Sequence, residues 1–228
     1  MMLPMKRIIQ AGFIASLLAA GSAQAAVDPL KPAATPESKA VDASGPSQLI
    51  ESSANTLLSG IDKRRDEFRK DPTGLYELVA NTLLPHFDTP YAAQLVLGKH
   101  WRTASADQRK RFVEAFYQSL LYTYGDAMID FTGDRLRVLP TKVAPTVERA
   151  TVRTEIKRSN GTKVAVNYSL RKINGEWKAW DVVIDGISYV KSYREDYGAQ
   201  VDQQGMDAVI QRLESRAQTA KAAKVKKT

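Results

Sequence analysis

The feature that most constrains how this chain can fold is a change of hydrophobic period at Gly133. Before it, apolar residues recur about every 3.6 positions, the repeat of one helix face; after it they alternate with period 2, the repeat of a pleated strand. Arg135 to Lys142, Glu148 to Arg158, Thr162 to Ile173 and Glu176 to Ile184 read as four strands, with Ser159-Asn160-Gly161 and Asn174-Gly175 as hairpin turns. Strands joined so tightly pair antiparallel. Ala150, Val152, Thr154 and Ile156 alternate with Thr151, Arg153, Glu155 and Lys157, and Val164, Val166, Tyr168 and Leu170 repeat the pattern, so one sheet face is apolar and needs cover. The last strand carries Trp177, Ala179 and Val183 on one face and Trp180, Val182 and Ile184 on the other, so both of its faces are expected to be covered.

The cover comes from flanking helices. Leu49, Ile50, Leu57, Leu58, Ile61 and Phe68 predict a helix from Pro46 that Asp71-Pro72 ends. A second runs from about Gly74 to Leu84 and stops at Pro85. Thr89 as N-cap and Pro90 at the first helical position start a third over Tyr91 to Leu97, closed by Gly98. Ser105 caps a fourth, in which Phe112, Phe116 and Leu120 share a face with Val113, Tyr117, Leu121 and Tyr124 beside them. That stripe is wider and more aromatic than a narrow core contact requires. Helical spacing resumes at Ile187, with Val190, Tyr193 and Tyr197, and again at Met206 with Val209, Ile210 and Leu213. The sum is an α+β domain in which helices enclose a curved four-stranded antiparallel sheet, a cone-shaped arrangement of the NTF2-like kind that can be solid or hollow.

The ends read differently from the body. Residues 1–25 have the form of a secretory signal peptide: Lys6 and Arg7, an apolar run from Ile8 to Ala20, then Ala23-Gln24-Ala25. Residues 26–45, with Pro29, Pro32 and Pro36, read as a flexible leader, 46–215 as a single domain, and 216–228 as a basic disordered tail. The formal charge of +8 sits largely in the signal and in Arg216, Lys221, Lys224, Lys226 and Lys227. The body is close to neutral, which argues against a nucleic-acid partner. With no cysteine, disulfides, thiol nucleophiles and lipid-bearing cysteines are excluded. The chain reads as an exported, periplasmic protein that depends on packing for stability.

Candidate chemistry is sparse. The chain has no HExxH, no GxSxG elbow and no phosphate-cradling glycine loop, and neither a metal nor a cofactor is expected. His86 and Asp88 could form a base with its orienting carboxylate, but Pro85 and Pro90 bracket them and explain the segment as a helix junction. His100, beside Trp101, reads as structural. Asp181 shares parity with Trp177 and Val183; it is either the acid of an isomerase- or hydrolase-like cone or the buried partner of Arg171 or Arg194.

The stretches LPHFDTPYAAQLVLGKHWRTASADQRKRFVEAFYQSLLYTYGDA and WKAWDVVIDGISYVKSYREDYGAQVDQQGMDAVIQRL closely resemble the MlaC-type, or toluene-tolerance, periplasmic phospholipid-binding proteins, and the likeness runs from about Pro46 to Leu213. The resemblance implies a non-enzymatic lipid shuttle, with glycerophospholipid as cargo rather than cofactor. It implies partners as well: an outer-membrane lipoprotein complex and an inner-membrane ABC transporter that displays an MCE-domain ring. The implied role is maintenance of outer-membrane lipid asymmetry.

The physics of such a role is demanding. Two acyl chains of about 16 carbons represent on the order of 25 kcal/mol of transfer free energy at roughly 0.8 kcal/mol per methylene, so a carrier needs a dry internal cavity. Helix stripes and strand parity nominate as its lining Tyr91, Leu95, Phe112, Phe116, Leu120, Val152, Thr154, Val166, Tyr168, Leu170, Val183, Ile187 and Val190.

Overall fold

The computed structural model describes residues 41–225 apart from 131, 133–135, 141–143, 145 and 158–160, all within the unit Glu37–Thr228. The expected signal peptide, the leader up to residue 40 and the last three residues lie outside the described residues, as do Arg135 and Lys142 at the ends of the first expected strand.

Helix α1 (Pro46–Lys70) starts on a proline, where the missing N–H costs nothing, and buries Leu49, Ile50, Leu57, Leu58, Ile61 and Phe68. Its helical geometry breaks at Arg64 (φ −132°, ψ 22°), whose guanidinium lies 4.5 Å from the centre of the Phe68 ring. Residues 41–45, expected as flexible leader, pack against α1: Val41 joins the cluster around Leu49 and Ile50, and the Ser52 hydroxyl donates to the Asp42 carbonyl at 2.9 Å.

Helix α2 (Thr73–Leu83) ends in a single 3-10 turn at Leu84–His86. Helix α3 (Thr89–Leu97) is capped one residue earlier than expected, by Asp88, whose carboxylate accepts from the Tyr91 N–H at 3.2 Å. A five-residue helix α4 (Lys99–Thr103), unforeseen because it is shorter than two apolar repeats, turns the chain into α5 (Ala106–Tyr124). The start of α5 is a capping box: the Gln108 N–H donates to Ser105 Oγ at 3.1 Å and the Ser105 N–H donates back to Gln108 Oε1 at 3.0 Å.

The sheet is an antiparallel meander in the order β1 (Leu136–Val138), β2 (Arg149–Lys157), β3 (Lys163–Ile173), β4 (Glu176–Ile184) and β5 (Ile187–Ser188). It has five strands where four were expected, because Asp185 and Gly186 adopt positive φ (49° and 82°) and fold Ile187 and Ser188 back onto Val183 and Ile184. Helix α6 (Tyr189–Gln204) therefore begins two residues later than the apolar spacing suggested. Helix α7 (Met206–Val225) continues through the expected disordered tail, and Ala217 is buried against α1, α2 and α5. The tail expectation is corrected accordingly: a small apolar residue in register with Val209, Ile210 and Leu213 extended the packed face.

Registers place Val152 opposite Tyr168, Thr154 opposite Val166, Ala150 opposite Leu170, and Leu136 opposite Ile156, so the expected apolar face forms and α1 covers it through Leu49 and Ile50. Between Ser169 and Leu170 the register shifts: Leu170 faces Ala179 but Ser169 faces Asp181, leaving Trp180 as an extra residue on β4. This bulge reverses the parity of everything after it. Trp177 and Ala179 point towards α1, whereas Asp181 and Val183 point to the opposite face, where α6 packs. Both faces of β4 are covered, but not by the residues that simple alternation assigns.

Candidate functional site

The sheet's apolar face and α1 do not meet everywhere. Between them lies an apolar pocket of about 200 Å³, walled by Ile50, Ser53, Ala54, Leu57, Leu58 and Ile61 of α1 and by Leu136, Ile156 and Tyr168 of the sheet. Leu83, Met128 and Thr132 complete it. The α1 residues recur at intervals of three and four, which is one helix face, but at its centre stand Ser53 and Ala54. Large residues above and below hold the helix off the sheet, and the small pair leaves the gap.

Among the described residues, none that lines this pocket is charged. Its polar groups are hydroxyls: Ser53 is buried, its Oγ has no hydrogen-bond partner among the described residues, and burial pushes the Tyr168 phenol up to about 12. A phenol so shifted is neutral at any physiological pH and acts as a hydrogen-bond donor, not a base. The pocket's chemistry suits an uncharged apolar group, with the Ser53 and Tyr168 hydroxyls as its hydrogen-bonding groups.

Tyr168 alone among the expected cavity residues lines the pocket. Val152 and Leu170 are fully buried on the same sheet face, packed under α1. Thr154 and Val166 are buried there too, with Thr154 Oγ1 donating to the Val166 carbonyl at 2.7 Å. Val183 lies on the opposite face because of the bulge. Ile187, at 53% exposure, is corrected from cavity wall to surface because it sits on the β5 turn rather than in a helix.

The helix stripe also lies elsewhere. Phe112 and Phe116, with ring centroids 5.6 Å apart, meet Tyr197 edge-on at 5.8 and 5.7 Å and pack with Val209, Ile210 and Leu213 in a core made by α3, α5, α6 and α7. Leu120 and Val190 pack against the same core. Tyr91 lies edge-on to Trp180 at 5.6 Å with the Arg171 guanidinium 3.7 Å from its ring centre, and Leu95 lines a separate surface groove.

Asp88 and Asp181 make contacts that hold the fold together. Asp88 Oδ2 meets Arg171 Nε and Nη2, both at 2.6 Å, while its backbone N–H donates to the Ala179 carbonyl at 2.7 Å, tying α3 to the sheet. Its Oδ1 caps α3, so both oxygens are engaged in holding the fold. The His86 imidazole is held below its ordinary pKa by burial and by the Lys178 ammonium. Asp181 is buried, but its partners are neither Arg171 nor Arg194: it accepts from Ser188 Oγ at 2.7 Å and from the Val190 N–H at 3.0 Å, anchoring the start of α6. Among the described residues no cluster of three or more His, Cys, Asp or Glu could hold a metal ion, and no helix is long and apolar enough to cross a membrane.

Comparison with known proteins is consistent with this geometry. The family described as MlaC protein matches residues 51–215. The intermembrane phospholipid transport system binding protein MlaC of Haemophilus influenzae is 27% identical over 181 residues, covering 78% of this chain and 85% of that protein. The toluene tolerance protein ttg2D of Pseudomonas putida is 28% identical over 168 residues, 73% of this chain and 78% of that protein. A phospholipid-binding protein from Ralstonia solanacearum, solved in complex with a phospholipid, shares the fold with a TM-score of 0.69 at 22% identity, over 75% of this chain and 96% of the other.

Proposed function

The chain belongs to the MlaC family, whose match spans residues 51–215, and from that membership we propose that it is a non-enzymatic periplasmic carrier of glycerophospholipid. In this reading it shuttles lipid between an outer-membrane lipoprotein complex and an inner-membrane ABC transporter bearing an MCE-domain ring, and so maintains outer-membrane lipid asymmetry. The observation that carries the reading is the uncharged pocket beneath α1. Relatives named for phospholipid transport and a phospholipid-bound structure of the same fold support it.

The pocket's size adds a requirement. Its volume of about 200 Å³ is below the roughly 300–1,000 Å³ of sites that enclose drug-sized ligands. Two acyl chains therefore enter only as α1 and the sheet part, and burial of their methylenes offsets the cost of parting them. Ser53 and Tyr168 then supply hydrogen bonds at the polar end of the chains.

Native mass spectrometry of protein purified from a periplasmic extract, followed by lipid extraction, tests the proposal. Diacyl phospholipid at near-integer stoichiometry is expected; a folded protein that carries none and takes none from vesicles would overturn it.

A further inference from the structure

A second concave site lies on the helical side of the molecule and shares no residue with the pocket. It is a groove of about 370 Å³ formed where α3 ends, α4 turns and α6 passes, lined by Gln94, Leu95, Gly98, Lys99, Trp101, Arg102 and Arg194. Its construction is specific. Gly98 has φ 55° and ψ −117°, a conformation that side-chain-bearing residues rarely adopt. A Cβ there would lie 3.1–3.2 Å from Nε, Cζ and Nη2 of Arg194 alike. Three nearly equal distances mean that the guanidinium lies across the glycine, in space that a side chain at this position would occupy.

The rest of the groove is braced by hydrogen bonds. Arg109 Nε donates to the Trp101 carbonyl at 2.8 Å and its Nη2 to the Arg102 carbonyl at 3.3 Å, with its guanidinium 5.4 Å from the centre of the Trp101 ring, which holds α4 in place. Lys99 is neutralised by Asp202 at 2.9 Å, and His100 also lies near that carboxylate. Among the described residues, the Arg102 and Arg194 side chains have no hydrogen-bond or ion-pair partner. Two unpaired guanidiniums lining one groove beside an aromatic wall match a carboxylate, which can accept two parallel N–H bonds.

We propose that this groove is a docking site for a protein loop that presents an acidic side chain, clasped by Arg102 and Arg194. The proposal rests on the carrier reading, because a shuttle has to engage other proteins while its cargo pocket stays filled. A protein loop fits better than a membrane surface: a bilayer is flat and cannot enter a concavity, and Trp101 is half-buried rather than protruding.

The test uses the full mature chain and a capped tetraglutamate peptide, with tetraglutamine as control, followed by NMR at the Gly98 amide and the Trp101 indole. Saturable shifts with the glutamate peptide alone are expected, weakened about tenfold or more by R102Q/R194Q, as loss of charge-assisted bonds implies. They should be unchanged by R153Q on the exposed strand β2. Absent shifts, or shifts that survive the double substitution, overturn the proposal. So does stronger arginine-dependent binding to phosphatidylglycerol vesicles, which would make the groove a membrane contact, or equal competition by inorganic phosphate, which would make it a small-anion site. Lipid content is measured on the same samples: wild-type protein without lipid sinks the carrier reading, whereas lipid-loaded protein that ignores the peptide sinks only this one.

Discussion

The core made by α3, α5, α6 and α7 and the space beneath α1 are both apolar, both formed by helix faces with regular spacing, and yet one is solid and the other hollow. The difference is side-chain size at the centre of the stripe. On α5 the central positions are Phe112 and Phe116, whose rings interdigitate with Tyr193 and Tyr197. On α1 they are Ser53 and Ala54, flanked by leucine and isoleucine that act as spacers. A helix stripe thus announces burial, and only the size of its middle residues says whether the burial is against protein or against a vacancy.

Substitutions in the two regions should behave oppositely. Phe112→Ala, the largest expected effect, should cost about 3–5 kcal/mol in a denaturant melt while lipid content per folded molecule stays unchanged. Asp181→Ala should cost about 2–3 kcal/mol, because the Val190 N–H and Ser188 hydroxyl lose a charged acceptor, and should also leave cargo in place. Lipid loss at unchanged stability in that variant would revive Asp181 as a functional group. Ala54→Trp should change stability by no more than about 1 kcal/mol, since it fills a void, yet abolish lipid co-purification as read by mass spectrometry.

The smallest effect concerns His86. Its folded-state pKa lies below the unfolded value near 6.5, so as pH falls through that value the unfolded chain gains a proton that the folded one refuses, and stability drops. His86→Gln should therefore lose less stability than the parent between pH 7 and pH 5, with no change in lipid transfer. Impaired transfer in a stable variant would reinstate His86 as a working group.

Local chemistry made much of this fold readable. Ser105 and Gln108 spell a capping box, Pro90 marks the start of a helix, and Asn174-Gly175 turns with φ of 51° and 86°, as a two-residue hairpin requires. Strand alternation correctly gave β2 and β3 one apolar face, which α1 covers. It failed at β4, because no residue type in the sequence declares the extra position at Trp180, and with it went the placement of Val183 and Asp181. Although the stripe on α5 is the more aromatic of the two, the pocket's main wall is legible in the sequence as the stripe on α1. The small residues at its centre were the signal to follow, since aromatic bulk closes space rather than keeping it open.

Trp180 acts as a phase shift in a two-state code. Upstream of it Trp177 and Ala179 face α1; downstream that face passes to Val182 and Ile184, while Asp181 and Val183 turn towards α6. Deleting that single tryptophan would bring the strand back into phase, turning Asp181 towards α1 and leaving the start of α6 without its anchor.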